Sequence, residues 1–268
     1  MILASTFRRA LSLCLLGMTL CAGAATTTVD PDDDDHHDSL YAIEKRVIHI
    51  HVNADGSYEK KIEQTTLIKT QAAVDSLSQE DFDFSTTRES IDVLEAYTLL
   101  PNGEKIPVAE DAIRTLDEDR SDGAAMFSDT KTRVVIYPKV AVGARVTSKV
   151  LFKTHTPLFA GQFSSKTIFS PAIEYGQAEI LLSHDPRIRI LVDSKEVQGG
   201  RIEDRPDGSI QYRYQFTQPK IRPTEPAQVS VWDFAPFVHF STFFAVMNCT
   251  TKIILTRITN SKSHNSFT

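Results

Sequence analysis

Cysteine is scarce in this chain: three residues, Cys14, Cys21 and Cys249, among 268. The first two lie in a stretch read below as a leader, so the exported chain keeps one thiol and can form no internal disulfide. Tryptophan is scarcer still, with Trp232 alone, and no recognisable sugar-binding platform can be read from it. Apolar runs are short. The leading one, Ala10 to Cys21, falls well below the roughly 20 residues that span a bilayer as a helix, which excludes a multispan membrane protein. The sequence also lacks the G-x-S-x-G elbow of serine hydrolases, the H-E-x-x-H of zinc peptidases, and the G-x-G-x-x-G and G-x-x-x-x-G-K loops that cradle phosphates.

Charge of either sign is unevenly spread. The formal net charge is -6. Arg8 and Arg9 give the first 25 residues +2, and Asp30, Asp32, Asp33, Asp34, Asp35 and Asp38 give Thr26 to Leu40 -6, which leaves -2 for the rest. A near-neutral remainder has no basic stripe for nucleic acid. Acidic residues then vanish: none follows Asp233 in the last 35 positions.

What is present begins with an address. Arg8-Arg9, the apolar stretch and the small residues Ala22-Gly23-Ala24 form the pattern of a secretory signal cut after Ala24. The chain therefore divides into a signal peptide (1–24), an acidic disordered linker (25–40), a β-rich domain (41–243) and a tail (244–268) that is disordered or out of frame. The linker's carboxylates, with His36 and His37, could gather a cation only loosely, since nothing fixes their geometry. The product is expected to be exported, periplasmic or secreted, with no membrane span once the signal is removed.

From Tyr41 onward apolar and polar residues alternate with a period of two, the mark of half-buried strands. Ile210, Tyr212, Tyr214 and Phe216 alternate with Gln211, Arg213, Gln215 and Thr217. Val146, Val150 and Phe152 alternate with Arg145, Lys149 and Lys153, and Ile188, Ile190 and Val192 with Arg187 and Arg189. Asn53-Ala54-Asp55-Gly56, Pro101-Asn102-Gly103, Gly199-Gly200 and Pro206-Asp207-Gly208 carry turn chemistry between such runs. Helical patterns are confined to Gln71–Gln79 and Val108–Leu116. Asp117 to Lys131 reads as a polar surface loop around Met126-Phe127. About ten strands with short connections predict an all-β fold: an antiparallel β-sandwich with one or two short helices, a closed barrel being the alternative.

Residues with chemical potential are few. His49 and His51 lie two apart on one strand, so both project from one face and form the candidate metal pair; no third ligand follows from spacing, and a solvent-facing strand surface is the favoured account of them. His155, His184 and His239 are isolated. Glu110-Asp111 and Asp117-Glu118-Asp119 sit in charged surroundings that leave carboxylates ordinary. Cys249 has only His264 and no acid downstream, so it lacks the partners of a thiol nucleophile. The aromatics Phe234, Phe237, Phe240, Phe243 and Phe244 around Pro236 read as core packing or as cover for an adjacent domain. No catalytic residue and no cofactor are assigned.

Several of these motifs in order resemble the bacterial exported domain of unknown function 3857. They are the opening strand with the Asp55-Gly56 hairpin, Pro101-Asn102-Gly103 followed by Ile106-Pro107, the Pro138 to Gly143 turn, Pro171, and the closing His239-Phe240-Ser241-Thr242-Phe243. The likeness runs from Tyr41 to Phe243. It implies the amino-terminal accessory domain of transglutaminase-like proteins, in which the closing stretch leads into a core bearing a Cys-His-Asp triad. That core is absent after Phe243, and no triad member maps onto this chain. The expectation is a non-catalytic exported β-sandwich that docks or positions a protein or peptide, or a missing transglutaminase-like domain. Two other readings stand beside it: a truncated transglutaminase-like cysteine enzyme, and a secreted metal-binding module.

Overall fold

The computed structural model describes residues 39–117, 129–202, 208–222 and 230–243, and two short paired strands, Met247–Asn248 and Lys252–Ile253. The signal, most of the linker, the rest of the tail and all three cysteines lie outside these residues. Among them no helix is long and apolar enough to cross a membrane.

Strands β1 (Tyr41–Val52) and β2 (Tyr58–Ile68) form a hairpin. Its turn closes by Asn53 N–H to Ser57 C=O at 2.8 Å and Gly56 N–H to Asn53 C=O at 3.0 Å. Gly56 is doubly required: its φ is +84°, and a Cβ there would lie 2.8 Å from the backbone of Gln162. Helix α1 (Gln71–Leu77) starts where Thr70 Oγ1 accepts from the Ala73 N–H at 3.2 Å, and it buries Ala73. Strands β3 (Gln79–Ser85), β4 (Glu89–Leu99) and β5 (Lys105–Pro107) follow, β4 and β5 joined through Pro101-Asn102-Gly103 as the turn signal predicts.

The helix expected over Val108–Leu116 does not form. Glu110–Ala112 makes one 3-10 turn and the chain then enters β6 (Ile113–Asp117). β-branched Ile113 and Thr115 suit a strand, and pairing with β7 (Thr130–Ile136) outweighs a weak helical preference. Asp117 and Lys131, read as the ends of a loop, are opposite each other in that pair and 3.0 Å apart as an ion pair. Residues 118–128 between them lie outside the described set.

Next come β8 (Arg145–Thr154), β9 (Ser164–Ile168), β10 (Glu174–His184), β11 (Leu191–Lys195), β12 (Gln198–Ile202), β13 (Ile210–Gln218), the single turn α2 (Val231–Phe234) and β14 (Phe237–Ser241). Two expectations fail here. Residues 187–190 are not in a strand, which begins only at Leu191. The Asp185 carboxylate accepts from the Arg187 backbone N–H at 2.8 Å and from its guanidinium at 2.7 Å, and Ile188 N–H bonds Asp185 C=O, so Asp185-Pro186 make a turn. Gly199-Gly200 is not a turn but the middle of β12. Gly199 is needed because a Cβ there would meet Arg213 C=O of β13 at 2.1 Å; the reversal falls at Glu196, whose φ is +55°.

Eight strands form one sheet in the order β12-β13-β10-β1-β2-β8-β4-β5, and two three-stranded sheets, β11-β14-β9 and β3-β7-β6, accompany it. The all-β class is as expected, with more strands than the predicted ten: thirteen between Tyr41 and Gln218. One pair departs from antiparallel: β1 and β10 run parallel, from Ala42 opposite Glu174 to Val52 opposite His184. They are not joined by a hairpin, so nothing in the connection enforces antiparallel pairing.

Both small sheets cover the same face of the large one. The register aligns Leu182, Ile50 and Phe152 in one row and Ile180, Ile48, Ile62 and Val150 in the next, all on the covered face. Under β11-β14-β9 lies an aromatic core in which Phe169 stacks on Phe216 at 4.3 Å and Phe240 meets Tyr214 edge-on at 5.8 Å. Under β3-β7-β6 the core is mostly aliphatic, built on Ile68, Ala96, Val135 and Val146, with Phe82 against Phe152 at its edge.

Candidate functional site

Alternation that buries one face of the large sheet leaves the other uncovered by either small sheet and writes it in polar residues. On β1 this face carries Lys45, Val47, His49 and His51. The register sets Ser183, His51 and Glu59 side by side, then Leu181, His49, Lys61 and Leu151, then Glu179, Val47, Glu63 and Lys149. Lys45 pairs with Glu63 at 2.6 Å, and Arg213 pairs with Glu179. The Lys45 ammonium holds the Glu63 carboxyl below its ordinary range. On the bulge between Ile43 and Lys45, Glu44 takes two bonds from Arg145, at 2.7 and 2.8 Å.

A depression of about 370 Å³ opens in this face, lined by His49, His51, Glu59, Lys61, Leu151, Leu181, Ser183 and Gln211, with Ile50 at its floor. Its apolar patches, Leu151 and Leu181, flank polar groups of both signs, a composition suited to holding an extended polar chain. His51 Nδ1 lies 2.9 Å from Ser183 Oγ. That is nucleophile-to-base distance, but Glu59, opposite His51, makes no hydrogen bond to it that would orient the ring, and the pair is on an open strand surface. His49 is exposed, yet the surrounding sheet and then the Lys61 charge hold its imidazole below the usual histidine range.

His49 and His51 thus share a face, as their spacing predicts, and the neighbours that join them come from β2 and β10. Among the described residues no three His, Cys, Asp or Glu side chains are grouped to hold a metal. The other histidines are scattered. His155 Nδ1 bonds Thr156 Oγ1 at 3.1 Å; His239 Nε2 bonds Ser164 Oγ at 3.0 Å, and burial lowers its pKa. His184 is buried, donates from Nδ1 to Asp185 C=O at 2.8 Å, and lies flat against Tyr212. The aromatic run packs as expected where it is described: Phe240 is core, Phe237 lies under Lys166, and Phe243 meets Phe159 edge-on at 5.8 Å. Glu110 and Asp111 are in the 3-10 turn. Sequence reasoning missed Lys61, Leu151, Leu181 and Ser183 as site residues; alternation shows their face but not which strands are neighbours.

Fold and site define a β-rich domain with one covered and one open sheet face. The chain belongs to the family called domain of unknown function with solved structure (DUF3857), whose sequence pattern matches residues 54–236. No curated protein matches it. Its fold is similar to the crystal structure of a candidate protease from Parabacteroides distasonis, at a TM-score of 0.67 and 14% identity, over 77% of this chain and 41% of that one. At that identity the likeness is one of fold, and the chain spans about two fifths of the other protein's length. An M1 zinc metallopeptidase from Deinococcus radiodurans aligns at 10% identity over 74% of this chain and 42% of that one, but its TM-score of 0.38 carries no argument.

Proposed function

We propose that this chain is an exported, non-catalytic docking domain that seats an extended segment of a partner protein, or of a neighbouring domain, on the open face of its eight-stranded sheet. The observation that carries this reading is the depression around His49 and His51, where Lys61, Glu59 and Gln211 surround Leu151 and Leu181. Mixed charge beside small apolar patches favours recognition of a polypeptide over a compact apolar ligand. The leader pattern at Arg8 to Ala24 supports export.

The test is a fluorescent peptide array probed with the purified protein. Extended peptides of mixed charge should bind, and the double variant Lys61→Glu/Lys149→Glu should lose about tenfold in affinity, as expected for displaced charge pairs. Peptide hydrolysis and amine incorporation should stay at background. Turnover abolished by His51→Ala or Ser183→Ala would overturn the non-catalytic reading.

A second reading is favoured by one observation, the 41% share of the Parabacteroides protein that this chain covers. On it, the chain is the front part of a longer transglutaminase-like cysteine enzyme, and the open face positions that enzyme's polypeptide substrate. Resequencing the locus beyond the codon for Phe243 tests it: another frame encoding a Cys-His-Asp core is the expected result, and a confirmed stop without one overturns it.

A further inference from the structure

The covered face of the large sheet carries neutral polar residues on several strands (Thr98, Ser148, Thr154) and one acid, Glu89, which accepts from the Ser85 N–H at 3.0 Å; its cations stand on β1 and β2, where the core under one small sheet gives way to the core under the other. Tyr58 and Ile62 of β2 belong to the first core, Ile68 to the second, and Tyr41 touches both. Into this seam the register directs two cations. Arg46 shares its face with Ile48 and Ile50, and Lys60 shares its face with Tyr58 and Ile62. Arg46 Nε is buried without a hydrogen-bond partner. Neither Arg46 nor Lys60 forms an ion pair among the described residues.

Carboxylates on the adjoining strands are already engaged. Glu44 is held by Arg145, Glu174 by Lys69 and Ser39, and Glu80 by the Tyr137 hydroxyl. Burial, and then the Arg46 charge, hold the Lys60 ammonium below its ordinary range. The Arg46 charge also reaches the hydroxyls of Tyr41 and Tyr175. From the facing layer comes a third cation, Arg133 of β7, whose Nε is likewise buried and unpartnered. It lies opposite Phe82, which meets Phe152 edge-on, and Phe152 is opposite Lys60. Unpaired cations partly withdrawn from water are destabilising, and no described carboxylate bonds Arg46 or Lys60, so the pair is suited to an anion from outside.

We propose that the seam between the two small sheets is a binding site for the oxyanion of a small ligand, a carboxylate or phosphate group, held between Arg46 and Lys60. The site lies on the covered face, opposite the docking surface, and stands or falls independently of it.

The experiment is calorimetric titration and thermal melting of the purified protein at low ionic strength with inorganic phosphate and, separately, with acetate. At a hundredfold excess over Kd, the bound anion should raise Tm by about 5 °C. Arg46→Met and Lys60→Met should each melt higher than the parent without ligand, because a desolvated charge is removed, and each should weaken the anion by about tenfold or more. Lys61→Glu on the open face should leave anion affinity unchanged. Phosphate binding alone assigns a phosphate ester and acetate binding alone a carboxylate; either supports the site. Binding of neither, binding that survives in both Met variants, or Met variants that melt lower than the parent would overturn it.

Discussion

The two small sheets lie on the same face of the same large sheet, yet they hold it differently. Sheet β11-β14-β9 closes over large aromatic rings, with Phe163, Phe169 and Phe240 each about 1% exposed. Sheet β3-β7-β6 closes over smaller side chains, and its outer strand β6 leaves Leu116 51% exposed. Aromatic side chains bury more area per residue, so the first cover should carry more of the stability and the second should open more readily. The same large sheet thus offers three environments: a dense aromatic seat, a lighter aliphatic one, and an open polar surface.

The comparison breaks most visibly at Phe240. Phe240→Ala should cost about 3–5 kcal/mol, read as a fall in the urea midpoint at constant slope. Val135→Ala under the other cover should cost about 2 kcal/mol, since less is removed from a smaller core. Equal losses would show that the two seats are energetically alike. Hydrogen exchange sharpens the same point: amides of β6 and β7 should exchange before those of β9 and β14 in the parent protein.

On the polar side the effects shrink. Glu44→Gln breaks the two-pronged contact with Arg145, whose side chains are each about a third exposed, and should cost no more than about 1 kcal/mol in thermal melts. His49 gives the smallest effect and a definite sign. Its folded pKa lies below its unfolded value of about 6.5, so the unfolded chain takes up a proton first as pH falls. The histidine's contribution to stability is complete above about 6.5 and is lost as pH drops toward the folded value. Parallel pH-melting curves of parent and His49→Gln should therefore coincide at neutral pH and separate below it; separation only at alkaline pH contradicts the assignment. Titration with zinc should give no stoichiometric heat, because His49 and His51 have no third ligand among the described residues.

Strands read from strict alternation were legible wherever one face is buried. Tyr212, Tyr214 and Phe216 of β13 do pack in the core, with Ile210 on the same face, and the Asn53–Gly56 and Pro101–Gly103 turns do close hairpins. Signals failed where a local preference met a stronger neighbour. Gly199 looked like a turn residue because glycine has conformational freedom; its real constraint is the carbonyl of a strand fourteen residues away at Arg213. The Val108–Leu116 pattern is too short to hold a helix against pairing with β7. For the site, the shared face of His49 and His51 was legible from their spacing, but Ser183, 132 residues beyond His51, reaches it only because β10 pairs in parallel with β1.

By itself, then, the chain determined its class and its local punctuation: alternation makes strands, Asx and glycine turns reverse them, and among the described residues no apolar run is long enough for a bilayer-spanning helix. Only the tertiary structure decided which strands are neighbours, that both small sheets cover one face, and that Arg46 and Lys60 stand on the covered side while His49 and Lys61 stand on the open one. The reason is physical. A period of two tells which residues share a face within a strand, whereas pairing between distant strands and the choice of face to cover depend on burial summed over the whole molecule.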